Sequence, residues 1–217
     1  MIKALLMKTS NINTLFRKLS DSIPKPQTEL LHRNPFELLI SVILSAQTTD
    51  VSVNKVTPEL FSKFPTPEKM CAAGAEKIFS YIRSIGLAPT KSKNIASTCG
   101  KLVEYHQSEV PKCRKELEQL PGVGRKTANV VLNTAFGKPV IAVDTHVFRI
   151  SNRTGLANGE TVLEVEKKLM EVVPTKWKKD AHHLLILQGR YVCKSRIPEC
   201  FKCVIALECE YKDKSPS

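Results

Sequence analysis

The sequence lacks any long apolar run. The longest, over residues 38–46, is interrupted by Ser41 and Ser45, whereas a membrane-spanning helix needs about 20 mostly apolar residues. The first seven residues hold only a four-residue apolar run after Lys3, which is too short for the core of a secretory signal. We therefore expect a cytoplasmic protein that spans no membrane.

Internal repeats and low-complexity tracts are also absent, and acidic residues are few. Of the 217 residues, 42% are hydrophobic and 25% are charged, as in ordinary globular proteins. The 21 acidic residues face 33 lysines and arginines, so the net charge is +12. This charge favours a polyanionic partner, with nucleic acid first and an anionic membrane surface second. Simple solubility is the alternative explanation.

The cysteines are odd in number and unevenly placed. Seven cysteines without a secretory signal argue against a disulfide framework. Four of them fall within 17 residues near the C-terminus, in the spacing Cys-x6-Cys-x2-Cys-x5-Cys: Cys193, Cys200, Cys203 and Cys209. Four close thiolates can hold zinc or an iron–sulfur cluster, and the single Cys-x2-Cys pair favours the cluster. Lys194 and Arg196 lie in the first intervening loop, where they can contact phosphates.

Apolar residues recur with helical spacing along most of the chain. The pattern predicts an all-α protein of about ten helices joined by short turns. One start is marked by Asn34-Pro35-Phe36-Glu37, and Asp50 is the expected cap of the next helix. Only residues 139–143 look extended. The predicted helices cover residues 14–22, 35–46, 50–64, a start at 66–67, 75–85, 91–106, 112–119, 125–136, 161–173 and 176–191.

A glycine-containing turn separates two of these helices. In Leu120-Pro121-Gly122-Val123-Gly124, two glycines allow a tight turn with unusual backbone angles, and Val123 would anchor the turn in the protein. The helix beginning at Arg125 would direct its N–H groups outward, where they can bind a phosphate. An ordinary interhelical turn is the alternative. The flanking residues and the basic charge favour binding of a DNA backbone.

Lys126 lies in the first turn of the helix that follows. Its positive charge there opposes the helix dipole, and a lysine amine can act as a covalent nucleophile. Asn129 and Asn133 share its polar face, which could line a cleft. A solvated lysine face is the alternative interpretation.

Asp144 follows the short extended segment and precedes a helical pattern. This position is typical of a helix N-cap. A fixed carboxylate can also stabilise the positive charge that builds on a sugar ring when its base departs. One residue can therefore serve both purposes.

Leu120–Asn129 resembles the helix-hairpin-helix of the DNA glycosylase superfamily. The stretch from Leu120 to Gly155 is similar to the endonuclease III family, whose members are bifunctional glycosylases for oxidised pyrimidines. The similarity extends from about residue 22 to 211, including Ser45-Ala46-Gln47 and the four-cysteine end. The residues before Asn11 have no assigned role.

The resemblance implies a fold and an activity. The fold would be two helical lobes flanking a DNA cleft, with one domain over 26–135 and a discontinuous one over 1–25 and 136–217. The four cysteines would hold a [4Fe–4S] cluster. The partner would be double-stranded DNA containing damaged bases or abasic sites, bound by a monomer in the nucleoid.

The resemblance also implies residue roles. Lys126 would attack the sugar C1′, the damaged base would leave, and the resulting Schiff base would allow β-elimination of the 3′ phosphate, with Asp144 as catalytic partner. Since the damaged base must leave the stack, Gln47 and Leu87 would fill the gap. Loop polarity and a hydrophobic helix staple are the respective alternatives for these two residues. His146 matches a recurrent family residue, for which a structural hydrogen bond is expected.

Two other functions stay open at this point. One is a monofunctional glycosylase such as the adenine-mismatch enzyme, against which Lys126 and the lack of a further C-terminal domain argue. The other is a non-catalytic DNA-binding or redox-sensing protein, which the pairing of Lys126 with Asp144 disfavours.

Overall fold

The computed structural model of the chain describes residues 7–216, so the expectation about a secretory signal falls, apart from Met7, outside the described residues. Within this range the protein is all-α, as predicted, and contains no β-strand. No helix within it is long and apolar enough to cross a membrane. The helices are α1 (Thr9–Ser22), α2 (Pro35–Ser45), α3 (Asp50–Lys63), α4 (Pro67–Ile82), α5 (Ala88–Tyr105), α6 (Arg114–Leu117), α7 (Arg125–Phe136), α8 (Thr145–Thr154), α9 (Val162–Val172), α10 (Thr175–Tyr191) and a 3-10 helix at Cys200–Lys202.

The chain divides into two compact units. One unit, Thr28–Gly137, contains α2 to α7. The other is discontinuous, with Met1–Gln27 and Lys138–Ser217, and its described part contains α1, α8, α9, α10 and the 3-10 helix. The domain boundaries expected from the sequence, 26–135 for one domain and 1–25 with 136–217 for the other, stay a prediction.

Helix α2 is the central element of the unit Thr28–Gly137. Asn34 caps it by accepting a hydrogen bond from the Glu37 backbone N–H at 2.9 Å, and Pro35 occupies its first position. The Glu37 carboxylate is 2% exposed and pairs with Arg33 at 2.6 Å. Helices α3, α5 and α7 all pack on α2. The end of α2 is therefore a fixed point from which the following loop departs.

Several helix boundaries differ from those predicted. Thr49, rather than Asp50, caps α3 through a bond from the Ser52 N–H at 3.2 Å. Helix α4 joins two predicted helices across a kink at Gly74, whose φ is 71°. Helix α5 begins at Ala88, three residues before the predicted start, and α6 is shorter than predicted. The spacing of apolar residues marks the buried face of a helix rather than its ends, so boundaries predicted from it differ by a few residues.

The discontinuous unit has a core formed by α1, α8, α9 and α10. Phe16 of α1 stacks on Trp177 of α10 with ring centroids 6.0 Å apart, and the Trp177 indole N–H donates to Asn13 at 3.1 Å. Helices α8 and α10 approach closely because Gly189 has no side chain: a Cβ there would lie 3.1 Å from the His146 carbonyl oxygen. The N-terminal helix thus belongs to this core.

A buried histidine makes the stability of this core depend on pH. His183 is 5% exposed, and burial lowers its pKa to about 4. The unfolded chain binds this proton at higher pH than the native chain, so native stability is complete above the ordinary pKa and declines as the pH falls towards 4. We expect the free energy of unfolding to fall by roughly 1–3 kcal/mol across that interval.

Chemical denaturation of wild type and His183→Gln between pH 4.5 and 7.5 checks this. The variant should show a flatter dependence on pH, whereas substitution of the exposed His32 by Gln should leave the wild-type slope. Equal slopes for wild type and His183→Gln would contradict the assignment.

Candidate functional site

The glycine turn has one left-handed residue, not two. Gly122 has a φ of 78°, as a tight turn requires. Gly124 has φ −91° and ψ 179°, which any residue adopts, so Gly122 alone supplies the unusual backbone angle expected for the turn. Val123 is 5% exposed and its N–H donates to the Leu120 carbonyl at 3.0 Å, so it anchors the turn as predicted.

Helix α5 holds the inner side of this turn. Thr98 donates to the Pro121 carbonyl at 2.8 Å, and a Cβ on Gly122 would lie 3.1 Å from the Asn94 side-chain nitrogen. Lys101 donates to the Gln119 carbonyl at 2.8 Å. By contrast, a Cβ on Gly124 would meet no atom within 4 Å. The turn is therefore fixed on one side and has open space at Gly124.

Helix α7 begins at Arg125, as predicted, with Gly124 as its N-cap. The first-turn amides of a helix have no acceptor within the helix, and this turn carries no acidic side chain to compete for an anion. The partial positive charge of the helix start adds to that of Arg125 and Lys126. The arrangement suits a phosphate group.

Lys126 is half-buried in the first turn of α7. Asn129 and Asn133, predicted to extend the same polar face, are 1% and 3% exposed. The polar face is therefore buried beyond its first turn. Lys126 is the member of this face that offers a nucleophilic amine.

Asp144 caps α8, as predicted. Its Oδ1 accepts hydrogen bonds from the backbone N–H groups of His146 and Val147, each at 2.9 Å. The His146 ring nitrogen Nδ1 lies 3.3 Å from the Arg149 guanidinium, which agrees with the structural hydrogen bond expected for this histidine. Because two amides and the helix dipole hold the half-buried carboxylate, its position is fixed by the backbone.

Gln47 and Leu87 lie in two adjacent loops of the unit Thr28–Gly137. Both have left-handed backbones, with φ of 54° and 61°, which cost a non-glycine residue roughly 1–2 kcal/mol each. Leu87 is 55% exposed, so it does not act as a buried helix staple. The loops meet where Gly86 faces Thr48: a Cβ on Gly86 would lie 3.5 Å from the Thr48 hydroxyl. Two exposed residues with strained backbones thus lie in neighbouring loops.

Lys91 is a buried residue that the sequence reasoning missed. It is 4% exposed, its ammonium donates to the Leu44 carbonyl at 2.8 Å and to the Thr48 hydroxyl at 2.9 Å, and burial lowers its pKa. A signal existed in the helical spacing, since Lys91 falls on the buried face of α5 that carries Ile95 and Leu102. The general preference of lysine for the surface conceals it.

The four C-terminal cysteines line one pocket: Cys193, Cys200, Cys203 and Cys209. Burial raises the pKa of the Cys203 and Cys209 thiols, and the neighbouring cysteines add to this rise. Gln188 donates to the Cys203 sulfur at 3.2 Å, and Arg153 lies 3.5 Å from the Cys193 sulfur. Over residues 7–216, no group of three or more histidine, cysteine, aspartate or glutamate side chains is placed to hold a metal ion.

Two arginines of α8, which the sequence reasoning also missed, hold the loop after α10. Arg149 donates to the Gly189 carbonyl at 2.6 Å and the Cys193 carbonyl at 3.0 Å. Arg153 donates to the Lys194 carbonyl at 2.7 Å and the Ser195 carbonyl at 2.8 Å. The cysteine loop is thus fixed to the helix that Asp144 caps. Nothing in the sequence indicated that these two arginines would bind backbone carbonyls.

The basic side chains of this loop differ in surroundings. Lys194 pairs with Glu199 at 2.7 Å, and Lys202 pairs with the same carboxylate. Arg196 is exposed. The acidic partner offsets part of the charge expected from Lys194, so Arg196 is the better candidate for a phosphate contact.

Comparison with known proteins places the chain in a family. Residues 40–175 match the HhH-GPD superfamily base excision DNA repair protein family. Endonuclease III of Haemophilus influenzae (strain ATCC 51907 / DSM 11121 / KW20 / Rd) is 55% identical over 207 residues, 95% of this chain and 98% of that protein. Endonuclease III of Escherichia coli (strain K12) is 56% identical over 200 residues, 92% and 95% respectively.

Among solved structures, a trapped endonuclease III–DNA covalent intermediate, in an estranged-adenine complex, matches with a TM-score of 0.88 and 47% identity over 94% of this chain and 97% of that chain. The resemblance predicted from the hairpin and the cysteines is thereby confirmed. The chain belongs to the HhH-GPD superfamily of base excision DNA repair proteins and, within it, to the endonuclease III family.

Proposed function

We propose that the chain is a bifunctional DNA glycosylase that removes oxidised pyrimidines from double-stranded DNA and cleaves the strand 3′ to the resulting abasic site. The observation that carries the proposal is the place of Lys126, in the first turn of α7 directly after the fixed turn at Gly122. The similarity to a trapped endonuclease III–DNA covalent intermediate supports it.

The turn and the start of α7 would bind the DNA backbone. The first-turn amides, the helix dipole and Arg125 all attract a phosphate, and the open space at Gly124 lets a phosphate approach the backbone. Phosphate contacts position a duplex without reading its sequence. The turn would therefore place damaged nucleotides of any sequence context at Lys126. The net charge of +12 favours the encounter.

Lys126 would then act as the nucleophile. Its uncharged amine attacks C1′ of the damaged nucleotide as the C1′–N bond breaks, and the base leaves with the bonding electron pair and takes up a proton. Opening of the sugar ring gives a protonated imine between Lys126 and C1′. Loss of a proton from C2′ then expels the 3′ phosphate, which nicks the strand. Hydrolysis finally returns the free amine.

Asp144 would stabilise the positive charge that develops on the sugar during base loss. A carboxylate held by two backbone amides cannot swing away from its place, so little reorganisation is needed during the reaction. Gln47 and Leu87 would enter the duplex after the damaged base leaves the stack. The exposure of Leu87 supports this role, since an apolar side chain in water gains by insertion between bases.

The four-cysteine pocket would hold a [4Fe–4S] cluster. Four cysteine thiols are the donor set that such a cluster takes, and here they line one pocket with hydrogen-bond donors near two of the sulfurs, although as placed they form no metal-holding group. When bound, such a cluster would supply a fixed structure for the surrounding loop. The chain's own part is to present the exposed Arg196, with Lys194 beside it, to DNA phosphates.

The DNA cleft between two lobes, the monomeric state and a cytoplasmic, nucleoid-associated location stay predictions. Each of these three predictions is compatible with chromosomal DNA as the substrate.

Replacement of Lys126 tests the nucleophile. Lys126→Gln should lose strand nicking at an abasic site by at least about 10³-fold, since no amine remains to form the imine. Asp144→Asn keeps a capping oxygen but loses the negative charge, so its nicking rate should fall by about 10²-fold. Nicking of a labelled duplex with a single abasic site measures both.

Binding of an uncleavable abasic analogue by both variants should stay within about threefold of wild type. The exposed Lys115, changed to Gln, is the matched control and should nick at the wild-type rate. Full activity of Lys126→Gln would overturn the assignment.

The cluster makes a spectroscopic prediction. Protein purified without oxygen should be yellow-brown and contain about four irons per chain. Cys200→Ser should lose the visible absorption and part of its DNA affinity, whereas Cys113→Ser, at an exposed cysteine outside the pocket, should keep both. Stoichiometric zinc without visible absorption would refute the cluster.

The two glycines of the turn should respond differently to alanine. Gly122→Ala should lower the free energy of unfolding by about 1–2 kcal/mol, because its φ of 78° disfavours a side chain and the Asn94 side chain stands 3.1 Å away. Gly124→Ala should leave stability within about 0.5 kcal/mol yet weaken DNA binding, since its Cβ fills the space at the helix start. Denaturation and duplex titration measure these effects. Unchanged affinity for Gly124→Ala would argue against phosphate binding there.

A further inference from the structure

Gln47 and Leu87, both in the unit Thr28–Gly137, have left-handed backbone conformations. Gln47 lies between α2 and α3, and Leu87 lies between α4 and α5. Neither residue is glycine, and both are exposed. Since such backbones persist only where the surroundings impose them, contacts elsewhere must fix the two loops.

Lys91 supplies contacts to both loops. Its ammonium donates to the carbonyl of Leu44, in the last turn of α2, and to the hydroxyl of Thr48. The Thr48 hydroxyl is in turn 3.5 Å from the Ala46 carbonyl. These polar contacts therefore involve the residues on both sides of Gln47 in the chain. The backbone N–H of Lys91 donates to the Leu87 carbonyl at 3.0 Å. This last bond is the ordinary backbone bond of the first turn of α5, so the Lys91 side chain links the end of α2 and the Gln47 loop to the helix that Leu87 precedes.

Burial of the Lys91 ammonium between α5 and the end of α2 is unfavourable in free energy. Removal of the charge from water is unfavourable unless acceptors replace the lost hydration. Here the acceptors are a carbonyl at the negative end of the α2 dipole and a hydroxyl. An apolar side chain of the same length would fill the volume at less cost, but it would form no directional bonds. The hydrogen bonds of Lys91 therefore fix the positions of the two groups that accept them.

We propose that Lys91 is a positioning residue that holds the Gln47 and Leu87 loops in one fixed arrangement, so that both side chains enter a DNA duplex together. The DNA part of this inference rests on the proposed function. The fixing of the loops does not, because it follows from contacts inside the protein alone.

The free protein tests the fixing of the loops. The variant Lys91→Met keeps the length of the side chain and removes its hydrogen bonds, and Lys93→Met removes the same charge from an exposed position of the same helix. Hydrogen exchange is read at the amides of Thr48 and Ala88, which donate to Ser45 and Ile85. Lys91→Met should exchange at least about tenfold faster at both amides and Lys93→Met at the wild-type rate. Equal exchange in all three proteins overturns the proposal.

Catalysis tests the consequence for DNA. With a duplex containing one oxidised pyrimidine, Lys91→Met should lower kcat by about tenfold. Its affinity for undamaged duplex should match that of Lys93→Met. A 2-aminopurine placed opposite an uncleavable abasic analogue should brighten less on binding Lys91→Met than on binding Lys93→Met. Faster exchange with unchanged kcat and unchanged fluorescence would overturn the positioning role.

Thr48→Val provides a second variant that removes only the hydroxyl. It should shift exchange and kcat in the same direction by a smaller factor, and adding it to Lys91→Met should have little further effect, since both variants lose the same bond between Lys91 and Thr48. Additive effects would contradict a shared contact. If wild type neither nicks nor unstacks DNA, the proposed function fails, while the exchange rates still decide whether Lys91 holds the loops.

Discussion

The start of α7 is the constraint on which the candidate chemistry depends. The helix begins at Arg125 because the chain reverses at Gly122, buries Val123 and extends through Gly124. This sequence of conformations sets the place of Lys126 to within one helical turn of amides that attract a phosphate. A lysine elsewhere on the basic surface would have the same chemistry but no such placement.

The surroundings of the turn explain why this placement is rigid. Helix α5 bonds to the turn through Thr98 and Lys101, and the same helix carries Lys91, whose ammonium bonds to the end of α2. Helix α7 itself packs on α2. The hairpin and the Gln47 and Leu87 loops are therefore supported by one small set of helices. A displacement of α5 would alter the contacts of all three.

In the discontinuous unit, α8 connects a capped carboxylate with the cysteine loop. Asp144 fixes the start of the helix, and Arg149 and Arg153 bond to backbone carbonyls of the loop after α10. The loop is thus shaped by arginine side chains. This gives the helix a structural part beyond the carboxylate at its start.

Much of the fold and of the candidate site could be predicted from local sequence. The start of α7, the cap formed by Asp144 and the all-α class follow from spacing and capping rules that act within a few residues. The burial of Lys91 could not, because it depends on which acceptors another helix brings to it. The ordinary backbone of Gly124 could not be predicted either. The sequence does not distinguish a glycine that adopts a positive φ from one that leaves open space for a ligand.

The most direct test of the central claim is the identity of the residue that becomes joined to DNA. Borohydride added during reaction of the wild-type protein with a duplex containing an oxidised pyrimidine reduces the imine to a stable amine. After digestion of protein and DNA, mass spectrometry locates the sugar remnant on one peptide. We predict a single modification, on Lys126. A remnant on another lysine or on the N-terminal amine would contradict it.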